Sequence, residues 1–90
     1  MEIKHGKNKF FIGDNQAKPI AEITYNEKDE ETIIVDHTYV SEELRGQGIA
    51  GKLVEVIVRF AREEGLKIVP LCPYVKTKME NTESYRDLIA

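Results

Sequence analysis

Cysteine, histidine and long apolar runs are scarce in this sequence, and each shortage closes off a class of protein. Cys72 is the one cysteine among 90 residues. A single thiol forms no internal disulfide and no multi-cysteine metal site. The two histidines, His5 and His37, are too few and too separate to hold zinc, so no metal is expected. No apolar run approaches the ~18 residues that a bilayer span requires. The opening run, Met1 to Lys7, lacks the apolar core of a secretory signal, so the cytoplasm is the expected address. A positive excess is missing too: 13 basic residues face 16 acidic ones, for a net charge of −3. That argues against a nucleic-acid partner held by a broad positive field, and against a polybasic membrane anchor. There is no internal repeat and no low-complexity segment.

What is present is one domain's worth of chain, expected to form a single unit over residues 1–90. Its 41% hydrophobic content is too high for a disordered tail. A chain of this size buries roughly 60–65% of its unfolded surface, enough for one modest core. A large ligand must therefore lie across the surface.

The first half reads as strands. Lys9 to Ile12 is a short apolar run ended by the turn triplet Gly13-Asp14-Asn15. Ala21, Ile23 and Tyr25 alternate with Glu22, Thr24 and Asn26, as in a half-buried strand. The acidic stretch Glu27 to Glu31 reads as a solvated loop; the lesser reading is a docking site for a basic acceptor. A strand from Thr32 to Val40 opens with Ile33, Ile34 and Val35, apolar on both faces, so it is expected at the sheet centre. The period then changes. From Ile49 to Glu64 the spacing predicts a helix, with Ile49, Leu53, Val56, Ile57 and Phe60 on one stripe, and Ala50, Val54, Val58 and Ala61 widening it. Gly65 is the C-terminal stop. Leu66 to Leu71 reads as a strand, with Pro70 marking an edge, a bulge or its end. Strand, helix, strand implies a right-handed crossover to a parallel neighbour. The tail from Tyr74 is weakly helical, with Tyr85, Leu88 and Ile89 able to dock. The predicted order is β-β-β-α-β-α. The fold class is α+β: a mixed, mostly antiparallel sheet covered by a long central helix and a C-terminal helix.

The segment between the central strand and the long helix carries three glycines within six residues, Gly46, Gly48 and Gly51, preceded by Arg45. Glycine lets backbone N–H groups approach a ligand closely. A helix N-terminus adds free N–H donors and a partial positive charge. Together they suit phosphate oxygens; the bland reading is a tight turn. Gly46-x-Gly48-x-x-Gly51 resembles a dinucleotide fingerprint, but the acidic residue due ~20 positions later is missing. Gly46-x-x-x-x-Gly51-Lys52 resembles a P-loop, but Leu53 stands where the magnesium-binding hydroxyl belongs.

Arg45-x-x-Gly48-x-Ala50 resembles the Arg/Gln-x-x-Gly-x-Gly/Ala loop of the GNAT acetyltransferase superfamily. His37-Thr38-Tyr39-Val40, the run Ala61 to Lys67 and Val69-Pro70-Leu71-Cys72-Pro73 extend the likeness to its small single-domain subfamily, over about residues 9 to 89. The resemblance implies a GNAT-like fold and an acetyl-CoA-dependent N-acetyltransferase with a small-molecule or protein amine as acceptor; the alternative is a non-catalytic acyl-CoA-binding module. It implies that Arg45, Gly46, Gln47, Gly48, Ile49 and Ala50, extended by Gly51 and Lys52, cradle the coenzyme pyrophosphate. It implies that Thr38, Tyr39 and Val40 bind the pantetheine arm where the fourth and fifth strands splay, with a backbone N–H near Val40 polarising the thioester. Larger relatives place a general-acid tyrosine at a register that falls here near Met79, with Tyr74 and Tyr85 close by in sequence. They also carry paired helices after the first strand, for which this chain has no counterpart, so its acceptor site is expected to be open. Cys72, just past the fifth strand, has a bland reading as a buried small side chain. Its functional reading is catalytic, accepting the acetyl group or protonating the leaving thiolate. His37 is expected to share a face with Val35 and Tyr39 and to be a structural histidine rather than a base.

Overall fold

A computed structural model describes residues 2–90. Its strands are β1 (Lys4–Gly6), β2 (Lys9–Ile12), β3 (Ala21–Asp29), β4 (Thr32–Val40) and β5 (Lys67–Pro70). Its helices are α1 (Ile49–Glu64) and α2 (Pro73–Glu80), with 3-10 turns at Glu42–Leu44 and Glu83–Leu88. The sheet runs in sequence order; its first three pairings are antiparallel and β4–β5 is parallel. This is the mixed, mostly antiparallel sheet that the sequence predicts. Among the described residues no helix is long and apolar enough to cross a membrane.

Helix α1 lies across β2 to β5, and α2 leans on α1, β4 and β5. Phe10, Ile23, Ile33, Val35 and Ile68 from the strands meet Leu53, Ile57, Val75 and Met79 from the helices in one buried cluster. At about 25 cal/mol per Å² of apolar surface, this burial is the main term holding sheet and helices together. Glycine ends α1 as expected: Gly65 is left-handed (φ 70°) and donates to the Ala61 carbonyl.

Four expectations change. A strand at Lys4–Gly6 precedes the predicted ones, too short for its alternation to register in sequence. His5 fixes it: its ring stacks on Phe10 at 4.2 Å and its Nε2 is 2.8 Å from Tyr25 Oη. Burial, with help from Glu27, raises the Tyr25 phenol above its ordinary pKa. Strand β3 runs through the acidic stretch to Asp29, so only its end is a turn; pairing with Ile33 and Ile34 of β4 holds Glu27 and Asn26 extended. The buried face of α1 is rotated towards Val54, Val58 and Ala61, leaving Val56 and Phe60 partly exposed. The C-terminal segment packs against that flank.

The fourth change matters for function. Thr24 pairs with His37, but Tyr25 pairs with Val35, so Asp36 is an extra residue in β4. Such a bulge reverses which side chains point to each face. Val35 is buried, whereas His37 and Tyr39 stand exposed on the opposite face. His37 is therefore not a core histidine. Thr38 and Val40 turn to the helix side instead, sharing a face with Ile23 and Ala21, their partners on β3.

Candidate functional site

Strands β4 and β5 part company where the bulge occurs. Their parallel pairing ends at Val35 with Pro70, while β4 continues to Val40. The Val35 carbonyl accepts from both the Leu71 and Cys72 N–H groups at 3.0 Å, which closes the ladder. Beyond that point a gap opens beside Asp36 to Val40. The Ser41 N–H donates to the Ile20 carbonyl at 2.9 Å. Bonded and non-bonded pairs alternate in an antiparallel ladder. Counting from that bond, Tyr39 with Glu22 and His37 with Thr24 are the bonded pairs. The peptide groups of Thr38 and Val40 therefore face away from β3, into the gap.

The glycine loop stands at the end of the gap. Leu44 and Ile49 are buried and pin its two ends, so residues 45–48 between them arch into solvent. Gly46 (φ 83°) and Gly48 (φ 73°) are both left-handed, a conformation that L side chains rarely adopt. A Cβ on either would meet nothing within 4 Å, so the space above the loop is open. Arg45 folds back and donates from Nε to the Val40 carbonyl at 3.3 Å, linking loop to strand. Gly48 is the N-cap of α1, and its carbonyl accepts from the Lys52 N–H at 3.2 Å. The N–H groups just ahead of Lys52 have no partner within the helix. No acidic residue lies in the first turn of α1. This end of a 16-residue helix is thus an anion-favouring surface.

A cavity of about 160 Å³ joins these parts, lined by Val40, Leu44, Arg45, Gly46, Gly48, Ile49, Ala50, Gly51 and Tyr74. Gln47 turns away, its Nε2 donating to the Glu43 carbonyl at 3.4 Å. Lys52 has its N–H committed to Gly48, which leaves its exposed ammonium to act. Tyr39 has its peptide groups committed to Glu22 on β3 and its side chain on the outer face, so it offers the gap no free backbone group. Two residues that sequence reading did not assign to the cradle arrive from α2. A Cβ on Gly51 would stand 3.7 Å from Tyr74 Oη and 3.9 Å from Lys78 Nζ. Their i, i+4 spacing on α2 is the only sequence signal for them. Met79 is buried in the core. Tyr85 borders a different hollow with Val58, Arg59 and Arg62, so it stands apart from the cradle. A larger hollow of about 440 Å³ lies elsewhere, between β1 and the loop at Asp14 to Gln16.

Cys72 caps the start of α2 and is only 8% exposed. Its Sγ lies 3.6 Å from Thr38 Oγ1, so the two side chains meet across the gap on its helix side. On the outer face His37 Nε2 is 4.0 Å from Glu22 Oε2, and Lys9 Nζ holds the other Glu22 oxygen at 2.7 Å. The assembly offers an anion cradle, an extended slot with free peptide groups, a thiol on one side of the slot and an imidazole on the other.

Residues 9–88 match a family model described as GCN5-related N-acetyl-transferase. A GCN5-like N-acetyltransferase candidate from Staphylococcus aureus, solved in solution by NMR, aligns with a TM-score of 0.83 at 47% identity, over 99% of this chain and 87% of its own. The crystal structure of a GNAT family acetyltransferase from Elizabethkingia anophelis with acetyl-CoA bound aligns with a TM-score of 0.54 at 21% identity, over 67% of this chain and 39% of its own. No curated protein matches the sequence.

Proposed function

The chain belongs to the GCN5-related N-acetyltransferase family, and on that premise we propose that it transfers an acetyl group from acetyl-CoA to an amine. The observation that carries this reading is the parting of β4 and β5 at Val35, beside the open left-handed glycines. A coenzyme has a diphosphate joined to a long amide-bearing arm. The cradle from Arg45 to Gly51 suits the diphosphate, with the ammonium groups of Lys52 and Lys78 near it. The gap along Thr38 to Val40 suits the arm, whose amides pair with the peptide groups of Thr38 and the N–H of Val40, the Val40 carbonyl being held by Arg45. A peptide N–H in the gap, directed at the thioester oxygen, stabilises the negative charge that builds as an amine attacks.

Cys72 is assigned to the leaving group. A nucleophilic thiol is reached as an accessible thiolate, and Cys72 is buried. A buried thiol beside the gap suits the other role, that of giving its proton to the departing coenzyme thiolate.

The reading is tested by adding acetyl-CoA to labelled protein and following amide NMR. Shifts are expected at Arg45 to Gly51 and Thr38 to Val40. Shifts confined to Glu27 to Glu31 refute the placement. Timed mass spectrometry with mixed amines then separates a transferase from a coenzyme-binding module, which would bind without producing any acetylated amine.

A further inference from the structure

The gap beside β4 opens to two faces of the sheet, and only one admits an acceptor. On the helix side Thr38 Oγ1 and Cys72 Sγ approach to 3.6 Å. Cys72 belongs to the same buried cluster as Ile49, Leu53 and Val75. On the outer face His37 and Tyr39 flank Thr38, with 57% of the His37 side chain exposed and Tyr39 exposed to 41%. The bulge at Asp36 puts them there. We propose that the acceptor amine approaches the thioester from this outer face and that His37 takes its proton, with Glu22 positioning the imidazole. This rests on the acetyl-transfer reading and adds to it the direction of approach and the base.

The charged groups facing His37 come from three strands. Glu22 on β3 presents Oε2 at 4.0 Å from Nε2. Its other oxygen is held at 2.7 Å by Lys9 on β2, and its side chain is only 16% exposed, so the carboxylate has a fixed direction. Asp36, the neighbour on β4, is already engaged: Thr24 Oγ1 donates to it at 2.6 Å and Asn26 Nδ2 at 3.2 Å. That leaves the His37 imidazole, 57% exposed, at the gap rim. An imidazole exchanges protons near neutral pH. With Nε2 turned to Glu22, Nδ1 is the atom left for the amine.

The step balances. A protonated amine loses one N–H proton to Nδ1, and the freed lone pair attacks the thioester carbon. The C–N bond forms, the tetrahedral oxyanion collapses, and the C–S bond breaks. The coenzyme thiolate takes the Cys72 proton, and the second proton that nitrogen sheds as the amide forms restores the Cys72 thiol. The imidazolium returns its proton to solvent. The exposed Tyr39 ring beside this path suits an amine with an apolar or aromatic body.

The test is acetylation by the full chain with acetyl-CoA and the best acceptor among phenethylamine, spermidine and Nα-acetyl-lysine. His37→Gln keeps polarity but accepts no proton. It is expected to lower kcat/KM about 100-fold, to leave acetyl-CoA affinity within about twofold, and to recover partly with added imidazole. Glu22→Gln is expected to lower kcat with little change in KM. The double variant should be no slower than His37→Gln alone, because Glu22 acts through the ring. A His37→Gln chain as fast as wild type overturns the proposal, as does a loss that imidazole does not rescue and that tracks lost acetyl-CoA affinity. A wild-type chain that binds acetyl-CoA but acetylates none of the three amines refutes the transferase reading, and this one with it.

Discussion

Gly48 allows backbone strain and ligand repulsion to be separated in one experiment. It sits at φ 73° as the N-cap of α1, and a Cβ there would touch nothing within 4 Å. Gly48→Ala therefore creates no clash. Its cost is the left-handed backbone, about 1–2 kcal/mol for an L residue. In a domain of this size each kcal/mol lowers Tm by about 4–8 °C. Gly48→Asp meets the same open space, and aspartate is among the residues that tolerate this conformation best, so it should melt no lower than Gly48→Ala. Binding should split the pair. A carboxylate ~4 Å from a phosphate charge is repelled by about 1 kcal/mol in bulk water and about 4 kcal/mol at an effective dielectric of 20. With two phosphates facing it, acetyl-CoA affinity should fall at least about tenfold below that of Gly48→Ala. Differential scanning calorimetry measures the strain, and isothermal titration with acetyl-CoA measures the repulsion. Equal affinity in the two variants would show that no diphosphate lies over Gly48, and the cradle assignment would fall.

Arg45→Ala removes a charged donor at the rim together with the link to the Val40 carbonyl; acetyl-CoA should bind more weakly by about 1–3 kcal/mol, read by the same titration. Cys72→Ser is expected to keep acetyl-CoA binding while slowing transfer, because a serine hydroxyl is a poorer proton donor to a thiolate; stopped-time mass spectrometry reads both, and an unchanged rate would make the thiol a packing element only. The hydrogen bond from Arg62 at 2.9 Å holds the Asp87 carboxyl below its ordinary pKa and ties α1 to the C-terminal segment. A carboxyl lowered on folding adds stability above its unfolded pKa and loses it as pH falls through the folded value. Unfolding scans of wild type and Asp87→Asn should therefore converge as pH drops below about 4, and parallel curves down to pH 2 would contradict this.

Much of this molecule is written in local patterns. The alternation of Ala21, Ile23 and Tyr25 and the helical spacing from Ile49 to Ala61 involve residues a few positions apart, so they are legible without knowing any partner. The cradle is legible for the same reason: Arg45 to Gly51 is contiguous, and its chemistry comes from its own backbone N–H groups. The face presented by each β4 residue was not. Alternation put His37 with Val35, and only the pairing of β4 with β3 creates the extra residue at Asp36 that reverses it. A bulge belongs to two strands at once, so one strand's pattern does not reveal it. Tyr74 and Lys78 reach Gly51 because α2 packs back across the start of α1, a contact between segments more than twenty residues apart. The same holds for Cys72, whose place in sequence said only that it follows a strand. Its meeting with Thr38 follows from where β4 and β5 stop pairing, and that point depends on the bulge and on the turn after Pro70, where the Leu71 and Cys72 N–H groups both close on the Val35 carbonyl.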